Sequence, residues 1–339
     1  MTGTENNKLL GLGLISGGLD SLIASLVIKL QNIEVVGLNF KSPFCTCDKA
    51  YKNSDCGLNL YHEKLGIKTF FLQKEDDYLE IVRNPKFGYG KNLNPCIDCR
   101  IYILKKAKEF AKKINADFIF TGEVLNQRPK SQNLKALKIV EDESGLTGKL
   151  LRPLSALLLK PTIYEEQGLI DRSRLLGIRG RSRSIQLDLA RKYNLLNEYF
   201  ACGGCLLTDA SFSSRMVDYL LYNKNPKMGD MTYLKYGRHF RFKNSKIIVG
   251  RDEIENKILL QIKGPNDVVL QAKDVVGPTT IVQGAIDDEV IQFAAKLTIS
   301  YSDLKESQGT IVYSNSKVNS SNLLVVKKEN KETFKAHIL

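Results

Sequence analysis

The chain has 339 residues, enough for about two domains, and its 43% apolar share suits a globular protein. Fifty basic against thirty-seven acidic residues leave a formal charge of +13, a field that attracts polyanions such as nucleic acid. No uninterrupted apolar run approaches the roughly 20 residues of a membrane span, and the polar stretch Met1 to Lys8 lacks the apolar region of a secretory signal. These features argue against membrane and secreted classes, so a soluble, cytoplasmic protein is expected.

In chain order, short β-branched runs alternate with helical periods up to about residue 160. The expected strands are Leu9–Ile15, Glu34–Asn39, Lys68–Leu72 and Asp117–Thr121, and the expected helices Asp20–Gln31, Leu58–Leu65 and Asp98–Ile114. This alternation predicts an α/β fold, a parallel sheet with helices on both faces. Residues 184–194 and 211–223 have helical spacing, and Pro161 suits the first turn of a helix. After residue 225 the pieces "KIIVG", "KILLQI" and "TTIVQGAI" look strand-like between Gly, Asn and Pro turns, and Asp287–Leu297 looks helical. The expected division is an α/β domain over residues 1–224, holding both Cys-x-x-Cys pairs, and a smaller α+β domain over 225–339. The last dozen residues, rich in Lys, Glu and Asn, are expected to fray.

Ser16-Gly17-Gly18-Leu19-Asp20-Ser21 lies where the first strand meets the first helix. Glycines that let the backbone approach a ligand, free N–H groups and the positive end of the helix dipole all favour an anion there. The turn suits a phosphate or pyrophosphate, and lacks both the Gly-Lys-Ser/Thr and the G-x-G-x-x-G patterns. The alternative is a tight turn with Asp20 as a simple helix cap.

Seven cysteines in a chain of this class argue for metal or sulfur chemistry more than for structural disulfides. Cys96 and Cys99 form one Cys-x-x-Cys pair, Cys202 and Cys205 another; Cys45, Cys47 and Cys56 follow the second strand without an assignment. Thiolates in two such pairs suit an iron–sulfur cluster or a closed zinc site, and spacing does not separate these. His62, His239 and His337 show no ligand spacing. Basic residues crowd two segments: Lys105, Lys106, Lys108, Lys112 and Lys113 on one helix, and Arg172, Arg174, Arg179, Arg181 and Arg183 in "DRSRLLGIRGRSRS".

The SGGxDS stretch resembles the loop of the PP-loop ATP pyrophosphatases, which split ATP between its α and β phosphates and adenylate a substrate. The segment holding Thr121, Gly122, Glu123, Leu125, Gln127, Ser131 and Gln132, followed by "LLRPL" at 150–154, resembles the tRNA 4-thiouridine synthetases of that superfamily. "PCIDCRIYILKKA" resembles the cysteine motif of the cluster-dependent tRNA thiolases. "HFRFKNSKIIVGRDEIENKIL", with Gly250, Arg251, Glu255 and Asn256 at matching positions, resembles the NFACT-type RNA-binding domain.

The resemblance implies an ATP-dependent tRNA sulfurtransferase that adenylates a uridine carbonyl, the 4-position first and the 2-position open, and replaces its oxygen with sulfur. ATP would meet Ser16, Gly17, Gly18, Asp20, Ser21, Asn39, Phe40, Thr121, Gly122 and Gln127, with Mg²⁺ at the pyrophosphate beside Asp20. Cys96, Cys99, Cys202 and Cys205 would be the catalytic or metal-binding thiols, holding a [4Fe–4S] cluster or, alternatively, Zn²⁺; a persulfide is the metal-free route. Lys105, Lys106, Arg172, Arg174, Arg179, Arg181 and Arg183 would hold RNA. The implied partners are tRNA and a sulfur donor, either sulfide or a cysteine desulfurase persulfide, and a homodimer is compatible with this reading. Two alternatives are a small-molecule synthase of the deazaguanine type with structural zinc, and a non-catalytic RNA-binding protein that senses nucleotide.

Overall fold

The structure is a computed structural model that describes residues 8–46, 64–196, 204–315 and 321–339. Cys47, Cys56, Cys202, His62 and nearly all of the expected helix Leu58–Leu65 lie outside the described residues. The chain divides into two compact units, Met1–Thr208 and Asp209–Leu339.

In the first unit the regular elements are β1 (Leu10–Leu14), α1 (Leu19–Lys29), β2 (Glu34–Lys41), β3 (Lys68–Gln73), α2 (Asp77–Arg83), α3 (Cys96–Lys113), β4 (Phe118–Thr121), α4 (Leu134–Ser144), β5 (Leu150–Leu151), α5 (Ile163–Glu166) and α6 (Ser184–Lys192). The strands form one five-stranded sheet in the order β3-β2-β1-β4-β5, parallel throughout. Helix α1 is apolar almost all round and packs Leu19, Leu22, Ile23, Leu26 and Val27 against Phe118 and Phe120 on one face. Helices α3 and α4 cover the other face, where Ile101, Leu104 and Val140 meet Leu12, Leu38 and Ile119. Each such fully buried Leu or Ile contributes roughly 1.5–3 kcal/mol relative to exposure. Because β2 leaves β1 on one side and β4 on the other, the order reverses between β1 and β4, and a crevice opens beyond their carboxyl ends.

Two helices of this unit, α2 and α4, were not expected from the sequence. Helix α4 starts at an Asn133 cap, whose side chain accepts from Ala136 N. Thr162, in a capping box with Glu165, caps α5, so Pro161 precedes the cap rather than standing in the first turn.

The second unit contains α7 (Ala210–Tyr222), β6 (Arg238–Phe242), β7 (Ser245–Val249), α8 (Glu253–Ile262), β8 (Val268–Ala272), β9 (Thr280–Gly284), α9 (Asp288–Ser300), β10 (Gln308–Asn315) and β11 (Ser321–Lys327). Its six strands run in the order β11-β10-β8-β9-β7-β6, antiparallel throughout. Helix α9 packs Val290, Ile291, Ala294 and Leu297 on one face, against Phe240, Val249, Leu270 and Val282. Helix α7 belongs to this unit, ahead of the change of texture at residue 225.

Two sequence expectations fail here. "KILLQI" is the end of α8, not a strand: Asp252 caps the helix by accepting from Glu255 N, and Leu259 packs into the small core with Ile248 and Ile281. The carboxyl end does not fray, because a 3₁₀ turn over Lys331–His337 buries Phe334 in the core and Leu339 N donates to His239 O at 3.0 Å.

Candidate active site

The Ser16–Ser21 turn is braced from within. Gly17 takes a φ of +84°, which its missing Cβ permits. Ser21 Oγ donates to Gly18 O at 2.9 Å and accepts from Ser16 N at 3.3 Å, while Gly18 N donates to Ser16 Oγ at 3.3 Å. The turn therefore has a fixed shape at the amino end of α1. Asn39 is buried and donates from its amide to Ile15 O at 2.7 Å, which ties β2 to the end of β1. Its neighbour Phe40 lines a cavity of about 180 Å³ with Leu72, Gln73, Lys106 and Phe110.

The loop after β4 closes over this turn. A Cβ at Gly122 would lie 2.7 Å from Asp20 C and Ser21 N, so only glycine allows the strand end to approach the helix start this closely. Both carboxylate oxygens of Asp20 are held: Gln127 Nε2 donates to Oδ2 at 3.1 Å, Gln186 Nε2 to Oδ1 at 3.1 Å, and Arg183 reaches Oδ2 at 3.5 Å. Gln186 was not foreseen from the sequence. It is fully buried on α6, with Oε1 unpartnered. The available signal was a polar residue one turn from Ala190 on the buried face of an amphipathic helix.

Arginine-rich residues 178–183 arrive here because Leu125 N donates to Ser155 Oγ, which donates to Ile178 O, and Gly180 N donates to Leu125 O. Arg179, Arg181 and Arg183 are exposed. Arg172 is instead committed to Glu165, Ala156 O and Leu159 O, and Arg174 to Leu30 O. On α3, Lys105 is exposed, whereas Lys106 lies 3.6 Å from both Glu75 and Asp77.

Glu123, buried beside Thr121, joins this loop to two elements. Its Oε2 accepts from Arg152 Nε at 3.0 Å, and its Oε1 lies 3.1 Å from Arg100 Nε on α3. Burial would raise its carboxyl, but Arg100 and Arg152 outweigh burial and hold it below the usual carboxylate range. The Gly-Glu pair of "TGE" and the Arg of "LLRPL" are thus one buried charge network.

The thiols begin one turn from that network. Cys96 opens α3 and Cys99 follows, with Asp98 between them accepting from Lys86 N and Phe87 N. Lys74 is buried; its Nζ donates to Cys99 Sγ at 3.1 Å and lies 4.0 Å above the Tyr78 ring. Burial raises the Cys99 thiol, but Lys74 and the Tyr78 hydroxyl overcome burial and leave it below its ordinary value. Burial pushes Cys205 up to about 11 and raises Cys96 as well. Cys96, Cys99 and Cys205 are close enough to act on one another electrostatically. Cys45, unassigned from the sequence, stands opposite Cys205 in an antiparallel backbone bridge. The ammonium of Lys74 already balances Cys99, and among the described residues no group of three or more His, Cys, Asp or Glu side chains is placed to hold a metal ion.

In the second unit, Gly250, Arg251, Glu255 and Asn256 form a clasp. Glu255 Oε2 accepts from Gly237 N and Arg251 N at 3.0 Å, and Asn256 Oδ1 accepts from Thr279 N at 2.9 Å. His239 is buried; Nε2 lies 2.8 Å from Tyr236 O, and Nδ1 has no hydrogen-bond partner among the described residues.

A glycine-bearing turn at the reversal point of a parallel sheet, followed by an antiparallel α+β unit, defines the class by its architecture: a parallel α/β domain followed by a second, smaller α+β domain. Residues 6–164 match the model of the thiamine biosynthesis protein (ThiI) family, and residues 237–338 match that of the NFACT protein RNA binding domain. A tRNA-specific 2-thiouridylase MnmA of Coxiella burnetii is 25% identical over 237 residues, covering 65% of this chain and 60% of that protein. A probable tRNA sulfurtransferase of Methanocaldococcus jannaschii is 31% identical over 145 residues, covering 42% of this chain and 36% of that one. The chain thus spans 60% of the length of the Coxiella relative. A solved 4-thiouridine synthetase–RNA complex with bound ATP aligns over 67% of this chain and 52% of its own, with a TM-score of 0.40 and 16% identity.

Proposed function

We propose that the protein is an ATP-dependent tRNA sulfurtransferase that adenylates a uridine carbonyl and replaces its oxygen with sulfur. The observation that carries this reading is the convergence of the phosphate turn with the thiols. Gln127 anchors Asp20 from the loop after β4, and Glu123 of the same loop pairs with Arg100, the residue after Cys99. The matches to the ThiI family and to tRNA thiouridylases support it.

The uridine oxygen attacks the α phosphate and pyrophosphate leaves, with the backbone N–H groups of the Ser16–Ser21 turn facing the departing charge. Arg183 is positioned to move from Asp20 to a phosphate, since its pairing at 3.5 Å is loose and half-exposed. Mg²⁺, when bound at Asp20, would neutralise the pyrophosphate. In the second step a sulfur carried on Cys99 attacks the activated carbon and AMP leaves. A second thiol then attacks the carrier sulfur, freeing the thiouridine and leaving a disulfide. The Lys74 ammonium favours the anionic carrier in a buried setting.

The Lys74–Cys99 contact supports cysteine-borne sulfur, and the alternative is a cluster on Cys96, Cys99, Cys202 and Cys205. Iron, sulfide and zinc analysis of protein purified without oxygen tests the choice. Less than one metal per chain is expected, whereas about four irons with matching sulfide would restore the cluster. The exposed residues Lys105, Arg179 and Arg181, together with the NFACT-type unit, are proposed to bind the tRNA, and a desulfurase persulfide, whose outer sulfur passes to the Cys99 thiolate as the donor thiolate leaves, is proposed as donor. The activity test is nucleoside analysis of tRNA incubated with protein, ATP, Mg²⁺ and a sulfur donor. Thiouridine is expected only when ATP is present; AMP release onto a small acid, with tRNA unchanged, would favour the deazaguanine-type alternative.

A further inference from the structure

We propose that Cys45 and Cys205 form a reversible cross-strand disulfide. The segment after β2 runs antiparallel to residues 204–206: Thr46 N donates to Gly204 O at 3.3 Å and Leu206 N donates to Phe44 O at 2.7 Å. These bonds flank the cysteines, which makes them a non-hydrogen-bonded pair. In such a pair the Cα atoms stand about 4.5 Å apart and both side chains project from the same face. That spacing lies inside the roughly 4.4–6.8 Å window in which a disulfide closes without backbone movement.

The register is pinned on both sides. Phe44 and Leu207 are buried, Thr46 Oγ1 donates to Gly204 O at 3.0 Å, and Asn92 Nδ2 donates to Thr208 O at 2.8 Å. Both cysteines are partly accessible, so a small oxidant reaches them. The oxidant is a low-molecular-weight disulfide, RSSR. One cysteine thiolate displaces a first RS⁻ to give a mixed disulfide, and the second thiolate displaces the other. Two electrons pass from the cysteines to RSSR, and the two thiol protons leave on two RSH. The bond withdraws Cys205 from the group that contains Cys96 and Cys99. This inference stands apart from the proposed thiolation, because its readout needs neither ATP nor tRNA.

The test is to equilibrate the full-length protein in mixtures of oxidised and reduced glutathione, block remaining thiols with N-ethylmaleimide, and map linked peptides by mass spectrometry. The Cys45–Cys205 link is expected as the main intramolecular disulfide, retained in Cys202→Ser and lost in Cys45→Ser. A Cys205 link to Cys202, Cys96 or Cys99 with Cys45 blocked, or full blocking of both thiols across the whole redox range, would overturn it. The wild-type map decides the matter even if Cys45→Ser does not fold.

Discussion

Among single residues, Asp20 and Lys74 separate binding from chemistry. Asp20 stands in the Ser16–Ser21 turn and pairs only loosely with Arg183, at 3.5 Å, so Asp20→Ala is expected to cut AMP formation by about 10²–10³-fold. Its tRNA affinity, read by filter binding, should stay within about twofold of wild type; joint loss of both would make Asp20 structural. Lys74 Nζ is the cation beside Cys99, and Lys74→Met removes it without a large change in side-chain volume. Alkylation of Cys99 by iodoacetamide at neutral pH, followed by peptide mass spectrometry, should slow by about tenfold as the thiolate fraction falls. An unchanged rate would show that the ammonium does not charge the thiol. The position of Asp20 was legible from the sequence because it follows from local spacing: strand, glycines and helix start lie within a dozen residues. Lys74 and Gln186 were not, because each owes its role to a partner from a distant element, 25 and 166 residues away respectively.

At the level of elements, the loop after β4 is the part on which the site depends. Gly122 lets it approach α1, and Glu123 ties it to α3 through Arg100 and to β5 through the buried Arg152. Glu123→Gln removes the buried one of the two carboxylates on Arg152, and urea unfolding should record a loss of about 3–5 kcal/mol. A loss below about 1 kcal/mol would mean that Glu141, the other acid on Arg152, suffices. The β1-to-β4 framework could be read from alternating apolar runs, since parallel strands buried on both faces have no other pattern. Helix α8 could not: "KILLQI" carries β-branched and apolar residues, and only the Asp252 cap and the sheet face beneath Leu259 turn it into a helix. The carboxyl segment was misjudged for a similar reason, as its polar composition hid the one residue, Phe334, that anchors it.

At the scale of the whole molecule, two units with separate cores should respond separately to acid. His239 sits in the second core, where burial and the nearby Lys246 and Arg215 charges hold its imidazole well below its ordinary value of 6.5. In the folded state it stays neutral, while in the unfolded chain it takes a proton below about pH 6.5. Stability of this unit therefore falls as pH drops through that value, by up to about 1.4 kcal/mol per pH unit. Denaturation between pH 7 and pH 5, followed by hydrogen exchange in β6 and β7, should show the loss there first, and His239→Gln should flatten the slope. The +13 charge bears on the partner rather than the fold. If tRNA backbone contacts use the exposed basic residues, log affinity must fall steeply and linearly with log salt.

The measurement that bears most directly on the central claim couples both halves of the reaction in one tube. Unmodified tRNA, ATP, Mg²⁺, a persulfide-loaded cysteine desulfurase and a thiol reductant, which reopens the disulfide left by each turnover, are incubated with anaerobically purified protein, then AMP is quantified and the nucleosides are separated by liquid chromatography with mass detection. One thiouridine per AMP is predicted, with 4-thiouridine distinguished from 2-thiouridine by retention, and neither product with Asp20→Ala. ATP cleavage that leaves every uridine unmodified, or thiouridine formed without ATP, would contradict the account.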